Sequence, residues 1–152
     1  MVMSKPSTAS APRPDDLLCF LVHSTGFAFN RVYRKPLEQL GLTYPQYLVM
    51  LVLWQQDGLT VGQIGERLRL DSGTLTPLLK RLETLGVVLR QRSAEDERRV
   101  IVTLTPKGSA LRERSAEVMR CVSEAVGLTD QDAADLMIRM RQLREHLERA
   151  PS

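Results

Sequence analysis

Between Thr60 and Leu104 the apolar period passes from 3.6 residues to two, and few folds accommodate that succession in so short a span. Thr60-Val61-Gly62-Gln63 has the form of a capping box, in which a hydroxyl takes an orphan amide of the first helical turn and a Gln three residues on answers it. Val61, Ile64 and Leu68 then share one side of a short helix. After Arg69-Leu70-Asp71-Ser72, leucines recur at 75, 78, 79, 82 and 85, the stripe of a second helix that ends at Gly86. Pro77 has no amide proton to donate, so this helix must begin close before it, between Asp71 and Thr74. Val87 to Gln91 and Arg99 to Leu104 are rich in β-branched residues, with the polar run Ser93-Ala94-Glu95-Asp96-Glu97 between them. That pattern predicts a two-stranded hairpin with a charged tip. Two short helices, a tight turn and such a hairpin make a winged helix-turn-helix.

Helical segments flank this unit on both sides. Residues 1–14, rich in Ser, Pro and Ala, read as a flexible tail. Asp15 or Asp16 then offers an N-cap for a helix that opens with Leu17-Leu18-Cys19-Phe20-Leu21 and runs to about Leu40, weakened by Gly26, kinked by Pro36 and stopped by Gly41. Thr43-Tyr44-Pro45-Gln46 is another capping box, and Tyr47 to Trp54 is apolar nearly all round, which predicts a buried helix. Downstream, Thr105-Pro106 supplies a cap and a first-turn proline for a helix reaching about Gly127. Thr129-Asp130-Gln131-Asp132 opens a last helix striped by Leu136, Met140, Leu143 and Leu147. The expected architecture is mainly α with a small β-hairpin wing: an α+β domain over residues 15–152, with a winged helix-turn-helix at 60–105 between helices at 15–42 and 106–149.

A chain of 152 residues at 43% hydrophobic and 26% charged is one domain with a real core, and a multidomain enzyme is not expected. No apolar run approaches the ~18 residues of a membrane helix, and the first residues lack the apolar centre of a signal peptide, so a cytoplasmic protein away from membranes is expected. Cys19 and Cys121 lie 102 residues apart and, with His23 and His146, assemble no ligand set. No metal and no cofactor are expected. The net charge of +3 is modest, but its placement is uneven. Residues 61–108 hold nine Lys/Arg against six Asp/Glu, whereas residues 1–60 hold five against four and residues 109–152 seven against eight. The cationic excess sits in the winged helix.

With its leucines inward, the second helix of that unit turns Thr74, Thr76, Pro77, Lys80, Arg81 and Thr84 outward, after Ser72 and Gly73 at its start. A helix start of this kind accepts phosphate, and Thr, Lys and Arg reach base edges or backbone. Alone, such a face is equally a solvated one; the adjoining hairpin favours DNA. Arg90 on the first strand and Asp96, Arg98 and Arg99 at the wing complete the candidate contact set. Arg98 and Arg99 follow three acids, so a simple charge argument fails there. Arg98 reaches a narrow minor groove if Asp96 holds the loop in shape; otherwise the tip is a solvated charge cluster.

The run Asp96-Glu97-Arg98-Arg99-Val100-Ile101-Val102-Thr103-Leu104-Thr105-Pro106-Lys107-Gly108 resembles the wing signature of MarR-type regulators, DxR followed by an alternating strand and LTxxG. Leu70 to Glu83, LDSGTLTPLLKRLE, is similar to the recognition helix of one branch, the organic-hydroperoxide sensors called OhrR. The resemblance extends from about Asp15 to Leu147. It implies a non-enzymatic repressor and a homodimer, in which interlocked N- and C-terminal dimerisation helices present two winged helices to an inverted-repeat operator in double-stranded DNA. Half-sites about one turn apart, ~34 Å, and salt-sensitive binding suit that arrangement.

In that branch the sensor is a cysteine near the start of the first helix, with tyrosines 14 and 25 positions later. Cys19, Tyr33 and Tyr44 match those spacings, and the chain has three tyrosines in all. The resemblance implies that both phenols come from the partner subunit and hydrogen-bond the sulfur. About three residues into a helix, Cys19 has free amides and the positive end of the dipole to stabilise a thiolate; Asp15 and Asp16 oppose this, so phenolic donors are needed. Leu18, Phe20, Leu21 and Val22 supply an apolar wall, and the resemblance implies a preference for alkyl or lipid hydroperoxides. A sulfenic acid formed there condenses with a thiol or oxidises further. Cys121 is the available resolving thiol, ~22 Å along its helix, and the resemblance to two-cysteine members implies a disulfide with the sensor of the other chain. Taken singly, either cysteine is equally an inert buried thiol. Other readings are a MarR-type repressor answering to a phenolic or drug-like ligand, a thiol peroxidase using Cys19, for which no active-site motif is present, and a protein-docking winged helix.

Overall fold

The computed structural model describes residues 11–151; most of the stretch expected to be a flexible tail, residues 1–10, lies outside them. Six helices and three strands follow in the order α1 (Leu18–Glu38), α2 (Tyr44–Gln55), β1 (Leu59–Thr60), α3 (Val61–Leu68), α4 (Ser72–Thr84), β2 (Val88–Arg92), β3 (Val100–Leu104), α5 (Pro106–Val126) and α6 (Asp130–Glu148). They fall into two compact units, Met1–Val118 and Met119–Ser152.

In the first unit, α2 is the centre of the core. Seven of its residues are buried, because its sequence is apolar on every face and Gln46, its one buried polar side chain, accepts from the Thr43 amide at 2.8 Å. Tyr47, Val49, Met50 and Leu53 meet Ile64 of α3, Leu75, Leu79 and Leu82 of α4, and Val88 and Val102 of the sheet. At ~1.5–3 kcal/mol for each apolar side chain withdrawn from water, this cluster fixes how α4 lies against the wing.

The sheet has three strands, in the order β1-β3-β2, all antiparallel. The expected two-stranded hairpin gains Leu59–Thr60, paired with Val102 and Ile101. Two residues are too short to show a period, and this strand exists because Asp57 turns the chain: its carboxylate accepts from Gly58 N at 2.8 Å and from Leu104 N at 2.9 Å. The strands of the hairpin begin one residue later than the expected Val87 and Arg99.

Two glycines admit backbone where a side chain would not fit. A Cβ on Gly65 would lie 2.6 Å from the Leu70 carbonyl, at the turn between α3 and α4, and one on Gly108 would lie 2.0 Å from that of Val87. The Gly108 carbonyl in turn accepts from Trp54 Nε1 at 2.9 Å, which ties the start of α5 to the core. Leu85, counted in the leucine stripe, is 37% exposed, since α4 ends at Thr84 and Leu85 is its C-cap.

The start of α1 also departs from expectation. Pro14–Asp16 form a 3-10 turn, so Leu17 is the N-cap and neither Asp15 nor Asp16 caps the helix. Proline's locked φ favours that turn, and Asp16 is instead paired with Arg13 at 3.2 Å. The helix ends at Glu38, two residues before the expected Leu40, carries Pro36 inside its last turn, and is followed by Gly41 at φ 69°. Only Leu37 of α1 is buried.

The second unit contains the end of α5 and all of α6. Gly127, at φ 64°, closes α5, and Thr129 caps α6 by accepting from Asp132 N at 3.1 Å. No residue of α6 is buried: Leu136 is 50% and Leu147 65% exposed. No helix among the described residues is long and apolar enough to cross a membrane.

Candidate functional site

The helix-turn-helix is built from local chemistry. Thr60 and Gln63 cap α3 reciprocally, Gln63 N donating to Thr60 Oγ1 at 3.2 Å and Thr60 N to Gln63 Oε1 at 2.9 Å. Arg69 takes the left-handed conformation at φ 56° to end α3, and Asp71 caps α4 by accepting from Thr74 N at 2.8 Å. The Thr74 amide and hydroxyl hold the Asp71 carboxyl below its ordinary value. The N-terminus of α4, expected to attract phosphate, therefore already has an anion: the chain's own carboxylate. Ser72, Gly73 and Thr74 lie beside it, exposed, with Pro77, Lys80 and Arg81 further along the same exposed side and Thr76 half-buried. The Thr84 hydroxyl donates back to the Lys80 carbonyl at 3.0 Å.

The wing is held by one carboxylate. Asp96 Oδ1 accepts from Arg98 N at 3.1 Å and from its Nε at 3.3 Å, and Oδ2 lies 3.6 Å from Arg99 Nε. Behind it, Ser93 Oγ accepts from Glu95 N at 3.2 Å, and Arg92 Nη1 donates to the Glu97 carbonyl at 3.0 Å. Of the three acids that spoil a simple charge argument, Asp96 is thus used internally. Arg98 projects with 94% of its side chain exposed, against 34% for Asp96. Thr60, Gln63, Ser72, Thr76, Arg98 and Arg99 line an open cleft of about 540 Å³ between the starts of α3 and α4 and the wing.

Arg90 behaves differently from its neighbours in the contact set. Its Nη2 and Nε donate to Glu83 Oε2 at 2.8 and 3.1 Å, its backbone amide donates to Oε1 at 3.2 Å, and its side chain is only 22% exposed. It clamps β2 to α4 and is not extended toward a ligand. The Arg90 guanidinium holds the Glu83 carboxyl below its ordinary value. Sequence reasoning missed Glu83; its place on α4, seven residues before Arg90, carries no local signal.

Cys19 is the second residue of α1, closer to the end than expected, and is exposed. The amides of Leu18, Cys19 and Phe20 belong to the first turn, where helix donors lack acceptors within the helix; the first such bond runs from Leu21 N to the Leu17 carbonyl at 3.0 Å. The expected apolar wall is open in a single chain: Leu18 is 49% and Leu21 58% exposed. Tyr33 and Tyr44 lie together, ring centroids 4.7 Å apart, and Tyr47 joins them 6.1 Å from Tyr33. Burial raises the Tyr33 phenol above its ordinary value, and Tyr44 and Tyr47 add to this, so Tyr33 remains a hydrogen-bond donor at neutral pH. Tyr47 is fully buried and its hydroxyl has no partner, a third member of the cluster that the spacing argument did not include. Cys121 is half-buried in the second unit. Among the described residues, no group of three or more His, Cys, Asp or Glu could hold a metal ion.

Comparison with known proteins places this geometry. The family model described as transcriptional regulator SarA/Rot matches residues 31–114. The chain is 45% identical over 146 residues to the HTH-type transcriptional regulator TtmR of Methylorubrum extorquens, covering 96% of this chain and 75% of that one. It is 43% identical over 122 residues to the organic hydroperoxide resistance transcriptional regulator of Bacillus subtilis, covering 80% and 81%. Among solved structures, overoxidized AbfR bound to DNA is 40% identical with a TM-score of 0.73, covering 86% of this chain and 91% of that one. AbfR, from Staphylococcus epidermidis, has also been solved with its disulfide formed, at 40% identity and a TM-score of 0.63 over 83% and 88% of the two chains.

Proposed function

Since the chain belongs to the SarA/Rot group of MarR-type winged-helix transcriptional regulators, we propose that it is a redox-sensing repressor. It binds inverted-repeat operator DNA in the cytoplasm as a reduced homodimer and is released when organic hydroperoxide oxidises Cys19. Residues 60–105 read DNA through α4 and the wing, and the helices within 15–42 and 106–149 join the two copies. Lys80, Arg81, Arg98 and Arg99 supply the cations, and Ser72, Gly73, Thr74, Thr76 and Pro77 the close surface. Arg90 and Asp96 act by holding the frame.

The observation that carries this reading is the separation of Cys19 from its matching phenols. Tyr33 follows Cys19 by fourteen residues in one helix, ~21 Å at 1.5 Å per residue, so the two never touch within a chain. Tyr33 and Tyr44 nevertheless stand side by side, half-buried, and burial raises the Tyr33 phenol above its ordinary value. A second copy brings them to the sulfur and covers the apolar residues of α1 that a single chain leaves open. That the Bacillus relative is named for organic hydroperoxide resistance, and that AbfR is known both with DNA and with a disulfide, supports the same chemistry here. Cys121 of the other subunit is then the resolving thiol, which intercepts the sulfenic acid before it is overoxidised.

The test is an operator titration with cumene hydroperoxide. Cys19→Ser binds the operator and stays bound at doses that release the wild type, and release at the wild-type dose refutes the sensor assignment. Release of both proteins by a phenolic ligand, with no response to peroxide, establishes the ligand-responsive reading instead.

A further inference from the structure

We propose that Trp54 is the positioning residue through which the state of the phenols reaches the wing. A line of contacts runs through Tyr44, Tyr33, Tyr47 and Trp54 to Gly108, and it ends at the joint where α4, the wing and α5 meet. The inference rests on Cys19 sensing through Tyr33 and Tyr44, and it supplies what that reading leaves open: how an event at the phenols is felt by the elements that read DNA.

Each link is a contact within the first unit. Tyr33 of α1 stands half-buried against Tyr44, ring centroids 4.7 Å apart, and against Tyr47 at 6.1 Å. Tyr47 and Trp54 are seven residues apart in α2, about two turns, and so share a face of that helix. Their rings meet edge to face, centroids 6.1 Å apart at 69°. Trp54 Nε1 then donates to the Gly108 carbonyl at 2.9 Å in the buried interior. The line thus passes from α1 through α2 to the start of α5.

The far end is a tight knot of hydrogen bonds. Gly108 N donates to Thr105 Oγ1 at 3.0 Å, and that hydroxyl donates to the Gly86 carbonyl at 2.6 Å. Thr105 N donates to the Val87 carbonyl at 3.1 Å, and Lys107 Nζ to the Leu85 carbonyl at 2.7 Å. Leu85 and Gly86 follow α4, Val87 leads into β2, and Thr105 follows β3. One indole proton therefore bears on the exit of the recognition helix and on one end of each hairpin strand. There is no slack to absorb a shift, since even a Cβ on Gly108 would lie 2.0 Å from the Val87 carbonyl.

The two central residues are held differently. Tyr47 is fully buried, yet its hydroxyl has no hydrogen-bond partner among the described residues, so packing alone places its ring. A ring held only by packing moves with its neighbours, because a close-packed interior passes a displacement on. Trp54, by contrast, has a directional bond to the joint. It turns a shift of the Tyr47 ring into a pull on the Gly108 carbonyl, a contact that differs in energy between the two arrangements of the phenols and so biases the reading head.

Trp54 is the only tryptophan of the chain, so full-length protein grown with 5-fluorotryptophan gives one fluorine resonance that reports on this link. Cumene hydroperoxide is expected to move that resonance in the wild type and not in Cys19→Ser. A resonance that stays in place while mass spectrometry shows Cys19 oxidised overturns the proposal. Trp54→Phe keeps a ring and removes the donor. Reduced, it is expected to bind the operator within about twofold of wild type, and to form dimedone-trapped sulfenic acid at a similar rate. The factor by which oxidation weakens operator binding should fall by about tenfold, within the range for a residue on a coupled route. A merely structural tether lowers stability in chemical denaturation and leaves that factor at the wild-type value, which also overturns the proposal. Should Trp54→Phe fail to fold, the fluorine resonance decides. If Cys19→Ser is released by the hydroperoxide, the sensor reading itself has failed; if Cys19→Ser stays bound while Trp54→Phe is released as fully as the wild type, only the role of Trp54 has.

Discussion

The reading head and the flanking helices are built to different degrees of completion. From Thr60 to Gly108 each element finds its partners within the chain: two side-chain caps, a leucine stripe on buried α2, a wing folded around Asp96, and an ion pair from α4 to β2. Along the first half of α1 and, separately, along α6, most of the apolar residues stay exposed within the chain. Among the described residues seventeen large hydrophobics are exposed, and six of the first seven, Leu17, Leu18, Phe20, Leu21, Val22 and Phe27, fall in or beside the first half of α1. Such an exposed apolar surface marks an interaction site. On the proposed function, the contrast teaches a division of labour: recognition is finished in one chain, whereas sensing and assembly are finished only between two.

The largest expected effect breaks the unfinished side. Leu136→Glu on α6 places a charge where a two-fold interface counts it twice, so dimerisation should weaken by ~3 kcal/mol or more, more than a hundredfold. Sedimentation shows monomers, while circular dichroism keeps the helix content. An unchanged dimer removes this face from the interface. On the finished side, Gly108→Ala forces a Cβ onto the Val87 carbonyl and should cost about 3 kcal/mol of folding stability in chemical denaturation. A loss below ~0.5 kcal/mol would show that the joint between wing and α5 yields easily.

Arg98→Ala should weaken operator binding by ~1–3 kcal/mol with little change in folding, because its side chain projects away from everything except Asp96. Equal affinity takes the wing out of recognition. The smallest effect concerns the clamp. The Glu83 carboxyl lies below its ordinary value, so its contribution to stability is present above the usual carboxylate range and is lost as pH falls through the lowered value. Glu83→Gln should flatten this part of the acid-unfolding curve; a curve that overlays the wild type shows the pair to be idle.

What could be read from the sequence follows the same division. Caps are local, and Thr43, Thr60, Thr105 and Thr129 could each be named from the residues that follow them; the leucine stripe and the wing are periodic and equally local. The strand Leu59–Thr60 could not be seen, because only pairing with Val102 and Ile101 makes it one. The cap of α1 was misplaced, since two aspartates advertise a helix start and Pro14 draws them into a turn of their own. Arg90 looked like its neighbours until the fold set Glu83 beside it. At the proposed sensor, the spacing of Cys19, Tyr33 and Tyr44 was legible, but their separation within one chain required the helix to be seen straight through from Leu18 to Glu38.

Sensing between chains is tested most directly by a mixed dimer, with Cys19→Ser in one chain and Tyr33→Phe with Tyr44→Phe in the other. Neither parent homodimer should leave the operator at the hydroperoxide dose that releases the wild type. If the sulfur of one subunit works with the phenols of the other, the mixed dimer contains one intact site and is released. A mixed dimer that stays bound, alongside a responsive wild type, contradicts the account.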